Sequence, residues 1–165
     1  MSGIGEYLRL TAAELEQVKR DPVWAWNHME DVREGEEATE PEPGDALYYH
    51  TYTAWPLLEL LLRRSGFPVD VSRGEQPVRY PDPQDGDYRY LTADQVGTVA
   101  RELAGLPYDR LAAHADPQEL VEAGLCRHGW DGPRTLEWAR HLYDGLVEFF
   151  GGAAREGHAV LVWQL

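Results

Sequence analysis

Between Arg134 and Phe150 the apolar residues Leu136, Ala139, Tyr143, Leu146, Val147 and Phe150 recur at three- and four-residue steps, which places them on one face of a helix. Asp131, Gly132 and Pro133 punctuate its start, and Gly151-Gly152 is expected to break it. Ala159 to Leu165 has apolar residues on both alternating phases. That pattern predicts a strand covered on both sides rather than one at a sheet edge. A long helix packed on such a strand is a core, and the remaining segments must complete it.

Ile4, Glu6, Leu8 and Leu10 alternate with Gly5, Tyr7 and Arg9, predicting a first strand. Thr11 with Glu14 has capping-box spacing for a short helix whose inner face is Leu15 and Val18. Asp21-Pro22 restarts a helix carrying Val23, Trp24, Trp26 and Met29, one to three turns long. Residues 30–45 are dominated by acidic side chains with Gly35, Pro41, Pro43 and Gly44, and the reading is a solvated acidic loop. Thr53 is the expected N-cap of a second large helix to Arg64, with Pro56 in its first turn and Ser65-Gly66 after it. Its leucines cover more than half the circumference, so it should be buried on two sides. Ser72 to Asp87 reads as loop. Tyr88 to Leu91 approaches a helix capped by Thr92 and Gln95, with Val96, Val99, Ala100, Leu103 and Ala104 inward. Asp116-Pro117 opens another short helix. The fold class expected is α+β: one helix-rich domain over 1–165, packed on a small mixed sheet, with an acidic loop near 30–45.

Composition adds constraints more than identity. With 165 residues, 43% of them apolar, the chain suits one globular core. A formal net charge of -14 argues against nucleic acid and anionic membranes as partners, since both demand a positive footprint. The single cysteine, Cys126, excludes an internal disulfide. No basic, then apolar, leader opens MSGIGEYLRL and no segment approaches a membrane span. The expected compartment is therefore the cytoplasm.

The stretches YLRLT, TAWPLLELLLRRSG, RYLTADQV and AVLVWQL, in that order, resemble the YfbM-like family, also called DUF1877, small bacterial proteins without an established activity. The resemblance implies a YfbM-like α+β fold over nearly the whole chain. The family pattern leading into the tryptophan helix is like DIDKAWHGIHYLL, and here it reads HTYTAWPLLELLL. Tyr52 and Thr53 stand where an Asp and a Lys would be, and Pro56 and Glu59 where two histidines would be. Trp55 is retained, and Arg89, Tyr90, Leu91 and Thr92 match. The resemblance implies architecture and carries no activity.

No phosphate-cradling glycine loop, nucleophile elbow or HExxH arrangement is present, and Cys126 with His128 is too little for zinc. The sequence predicts no cofactor, no metal site and no catalytic set. Recognition groups concentrate at Tyr48, Tyr49, His50 and Tyr52 ahead of Trp55, and at Arg89 and Tyr90. Both precede helix starts, where free amides favour anions. His50, Tyr52, Trp55, Arg89 and Tyr90 are thus the candidate ligand-binding residues, for a small polar or anionic ligand or a protein. The competing reading is that they pack the ends of the core. Two classes follow: a non-catalytic interaction or ligand-binding domain, acting as a monomer or weak homodimer, or a metal-independent hydrolase or transferase using His50 with an acidic partner. Convergence of His50, Arg89 and Tyr90 is the geometric expectation that bears on the proposed pocket.

Overall fold

The computed structural model describes residues 3–165. Strand β1 (Gly5–Leu10) is followed by helices α1 (Ala12–Arg20) and α2 (Pro22–Thr39). Strand β2 (Tyr48–His50) leads through a 3-10 turn, Tyr52–Ala54, into α3 (Trp55–Arg64). Two short strands, β3 (Gln76–Pro77) and β4 (Arg89–Leu91), precede α4 (Ala93–Ala104), α5 (Tyr108–Ala112) and α6 (Pro117–Glu122). The long α7 (Gly132–Arg155) and β5 (Ala159–Gln164) close the chain.

The five strands form one sheet in the order β2-β1-β5-β4-β3, so the last strand is central, as its two apolar phases predict. Every pairing is antiparallel, which corrects the expectation of a mixed sheet. The helical excursions α1–α2 and α4–α7 each join neighbouring strands of opposite direction, so each leaves and rejoins the sheet at the same end, while α3 carries the chain across from edge strand β2 to edge strand β3. Helices cover both faces. Tyr7, Leu91, Val160 and Val162 meet α3, α4 and α7 on one side. On the other, Leu8, Leu10, Leu161 and Trp163 meet Val18, Ala25 and Met29 of α1 and α2. This makes an α+β domain with the sheet as its middle layer.

Local chemistry explains most helix starts. Thr11 accepts from the Glu14 N–H at 3.2 Å while Thr11 N–H donates to Glu14 Oε1 at 2.9 Å, and Thr92 with Gln95 repeats the arrangement. Asp21, Asp116 and Asp131 cap helices with proline in the first turn. Thr53 is no cap: it lies inside the 3-10 turn, and α3 begins at Trp55 without a side-chain cap.

Two expectations fail in instructive ways. The acidic stretch is helical to Thr39, leaving only the residues from Glu40 onward as loop. A helix polar on nearly every side is held by its own ion pairs and by what it reaches. Here Arg33 bridges Glu30 at 2.6 Å and Glu37 at 3.5 Å, and Glu36 accepts from the backbone N–H groups of Leu47 and Tyr48. The second failure is at Gly151-Gly152, which α7 runs straight through to Arg155. Gly152 faces the side chain of Arg9 and the carbonyl of Gly44, leaving no room for a Cβ. It is there for close packing, not for termination.

Candidate functional site

At the free edge of β2 the two sides of the sheet part. Alternation along the strand directs Tyr49 toward α7, where its hydroxyl donates to Leu142 O at 2.8 Å. Tyr48 and His50 face the α2 side with Glu6 and Trp163, their neighbours in register or by ring contact. Thr51 N–H donates to Gly5 O and Arg9 N–H to Leu47 O, so the alternate residues Tyr48 and His50 turn their backbone groups outward. Glu36 takes the Tyr48 N–H at 3.2 Å. The outcome is an open groove of about 1140 Å³ between the C-terminal part of α2 and the middle of α7, with β2 at its floor.

The floor carries a strained chemical arrangement. Glu6 is 4% exposed, and one carboxylate oxygen receives the Tyr48 hydroxyl while Oε2 has no hydrogen-bond partner. Nδ1 of the half-buried His50 is likewise without a partner. His50 stacks edge-on against Tyr52 at 4.2 Å between ring centroids, and Tyr52, half exposed, holds the left-handed backbone conformation at φ 49°. Such a conformation in an aromatic residue is costly and marks functional or tightly packed positions.

Burial raises the pKa of Glu6 above the ordinary carboxyl value, against the side chains of Tyr48 and Trp163, which favour its charged form. Burial alone lowers that of His50. A carboxyl with a raised folded-state pKa contributes stability below its unfolded value and loses it as pH rises through the folded one; the lowered histidine behaves oppositely, losing stability as pH falls. Glu6→Gln keeps an acceptor for Tyr48 but cannot ionise. Its melting temperature should therefore exceed that of wild type at neutral pH and converge with it below pH 4.5, the ordinary carboxyl value. Thermal melts across this range decide the matter; an equal difference at both ends would show that ionisation of Glu6 is not the source.

The walls are acidic. Glu40 and Glu42 stand on one side and Asp144 and Glu148 on the other. Among the described residues no ion pair engages any of these four. Asp144 and Glu148 lie one helical turn apart, a spacing at which like charges repel. Of the lining arginines, Arg33 holds Glu30 and Glu37, and Arg127 lies over the rings of Trp130 and Trp138 at 4.6 and 5.0 Å without a carboxylate partner among the described residues.

The sequence-predicted residues divide. His50 and Tyr52 line this groove. Arg89 does not: its row of the sheet is Val162, Tyr7 and Tyr49, the row that faces α7, while His50 shares the opposite face with Glu6. The two strands stand three places apart, about 14 Å at ordinary strand spacing. Arg89 also commits two of its donors to backbone, to Gly74 O at 2.8 Å and Glu75 O at 3.0 Å. Tyr90 lies under Lys19 at 4.9 Å, and Trp55 donates to Gly3 O at 3.0 Å with Arg73 over its ring. The helix starts therefore do not converge on one anion pocket. Glu6 was missed, although the signal was available: it is a carboxylate on the same strand phase as Leu8 and Leu10, the apolar set. Asp144 and Glu148 gave no such signal, being ordinary charges on the wet face of a helix.

A smaller cleft of about 500 Å³ lies between α3 and residues 67–75, where Glu59 is held by Arg63 and Arg73. No cluster of three or more His, Cys, Asp or Glu side chains among the described residues could hold a metal. None of the described helices is long and apolar enough to cross a membrane.

The family model described as a domain of unknown function, DUF1877, matches residues 1–163. The chain belongs to the DUF1877 family. The fold of this DUF1877 protein is similar to that in the crystal structure of a protein of unknown function, YfbM, from Escherichia coli. The TM-score is 0.60 at 12% sequence identity, covering 98% of this chain and 99% of that one. No curated protein matches the sequence. Within the family pattern, Glu59 stands where the resemblance implies a histidine, and its carboxylate is committed to Arg63 and Arg73.

Proposed function

We propose that this DUF1877 protein is a non-catalytic binding domain whose ligand lies in the groove along the β2 edge, with Glu6, Tyr48, His50 and Tyr52 as its floor and rim. The observation that carries this reading is Glu6. A carboxylate oxygen withheld from water and left without a partner costs several kcal/mol at most sites, on the order of 1–3 for a neutral group and more when charged. A buried polar atom left unpaired calls for an explanation, and a ligand in the groove that completes Glu6 supplies one. Arg89 stands outside this site, with two of its donors on the carbonyls of Gly74 and Glu75.

The alternative, a metal-independent hydrolase or transferase, has one favouring observation: His50 sits opposite Glu6 in the β1–β2 register. Nucleophilic or general-base chemistry by histidine requires an orienting hydrogen bond, and Nδ1 of His50 has none. Binding is the better reading.

The test is an amide chemical-shift titration of the isotopically labelled protein against a panel of polar metabolites and short peptides. Perturbations gathered on residues 48–52 and 142–148 are the expected result. Perturbations confined to the cleft at residues 59–75, or none from any compound, would overturn the groove as the site. Hydrolytic turnover of a panel member, lost in His50→Ala, would favour the enzyme instead.

A further inference from the structure

We infer that the occupant of the groove is a basic peptide segment, an extended stretch of another protein that presents arginine or lysine side chains; this rests on the groove being the binding site. Three features of the groove choose that chemistry. Glu40 and Glu42 face Asp144 and Glu148 across it, and none of the four has an ion-pair partner among the described residues. Asp144 and Glu148, one turn apart, repel each other, and a cation bound between such carboxylates relieves the repulsion. The second feature is independent of the walls: Glu6 lines the floor, 4% exposed, and no hydrogen bond of ordinary geometry reaches its Oε2, the neighbouring Trp163 side chain favouring only its charged form. An acceptor so placed, bonded to Tyr48 and in register with His50, whose ring meets Tyr52, suits a guanidinium or ammonium group, which takes carboxylate oxygens at its edge and aromatic faces at its flank.

The third feature separates a peptide from a lone amine. The groove, about 1140 Å³, is at or above the upper end for small-molecule sites, and its carboxylates are spread along its length rather than focused on one point. Its floor is also a strand edge. Tyr48 and His50 present backbone groups outward there, and Glu36 takes only the N–H of Tyr48 from that pair. An extended chain lying along this edge would find backbone partners as well as charge. Of the two lining arginines, Arg33 is held by Glu30 and Glu37, while Arg127 lies on tryptophan rings and keeps its charge, against Glu40, Glu42, Asp144 and Glu148 in the same lining.

Fluorescence anisotropy with a labelled, amidated Arg-Ala-Lys-Ala-Arg peptide tests the inference on the full chain. Binding should weaken as sodium chloride is raised, and the analogue with glutamine at each basic position should bind at least tenfold more weakly, as a rough expectation for desolvated charge pairs. The double variant Asp144→Asn/Glu148→Gln should lose about tenfold in affinity. A control of equal charge change outside the groove, Glu102→Gln/Glu122→Gln, should leave affinity within about twofold. Equal losses in the two double variants would reveal attraction to net charge alone and would overturn the proposal. So would equal affinity for the glutamine peptide, or no binding of the basic one. Free arginine or spermine binding as tightly as the peptide would also overturn it, in favour of a small cation. If a neutral panel compound shifts residues 48–52 and 142–148 while the basic peptide does not, the groove stands as a site and the basic-peptide assignment falls.

Discussion

Deleting residues 161–165 is expected to abolish cooperative folding. β5 is the only connection between the β2-β1 pair and the β4-β3 pair among the described strands. Val162 stands between Tyr7 and Arg89, Leu161 between Leu8 and Tyr90, and Trp163 beside Glu6. Leu161 and Trp163 belong to the core under α1 and α2, Val162 to the core under α3, α4 and α7. Losing each buried apolar side chain forfeits about 1.5–3 kcal/mol. The unpaired backbone groups left on β1 and β4 cost about 1–3 kcal/mol apiece where water cannot reach them. Together these exceed the roughly 5–15 kcal/mol by which a domain is stable. Leu165→Ala supplies the contrast: Leu165 is 66% exposed, and this change should be near neutral. Circular-dichroism melts of the two variants measure the difference. A truncated protein that melts cooperatively at the wild-type temperature would mean that the two halves of the sheet hold together without β5.

The parts of this fold legible in the sequence are those whose causes are local. Thr11 with Glu14, Thr92 with Gln95, and the Asp-Pro pairs at Asp21 and Asp116 specify helix starts through contacts within three residues. The two apolar phases of Ala159 to Leu165 specify a covered strand. What could not be read depends on distant partners. β3 is two residues long and contains Pro77, tolerable because it is an edge strand, and nothing in its own composition distinguishes it from loop. The helix over Glu30 to Thr39 lacks an apolar face, and Glu36 secures it by reaching Leu47 and Tyr48, eleven and twelve residues onward. The site divides in the same way. His50 and Tyr52 were visible as an aromatic cluster, whereas the opposition of Glu40 and Glu42 to Asp144 and Glu148 exists only once α2 and α7 are placed on either side of β2. Arg89 reads in the sequence as an anion donor because it stands before a helix start, and in the fold it lies outside the groove. Its use as a clamp on the carbonyls of Gly74 and Glu75 is set by a loop with no signal of its own.

Adjacent glycines in α7 should respond to alanine with opposite signs. A Cβ on Gly151 would meet nothing nearer than Arg155 Nη1, at 3.6 Å. There the substitution removes only the backbone entropy cost of glycine in a helix, so Gly151→Ala should stabilise by about 0.5–1 kcal/mol. A Cβ on Gly152 would collide with Arg9 Nη2 and with the carbonyl oxygen of Gly44. The guanidinium of Arg9 is 4% exposed, lies 5.2 Å from the centre of the Phe149 ring, and donates to Gly44 O at 2.7 Å and Phe149 O at 3.2 Å. Displacing it strands a buried charge, a change of about 3–5 kcal/mol when a buried partner is lost, and the Gly44 backbone must shift besides. Gly152→Ala should therefore destabilise by at least about 3 kcal/mol. Denaturant midpoints of the two single variants read this directly, and a shared sign would refute the assignment of Gly152 to close packing. A further comparison separates the two obstructions. In an Arg9→Met background the same alanine meets only the Gly44 carbonyl, so its additional cost should shrink; contacting residues are expected to couple in this way. An undiminished cost would place the whole penalty on the Gly44 backbone and leave Arg9 as a bystander.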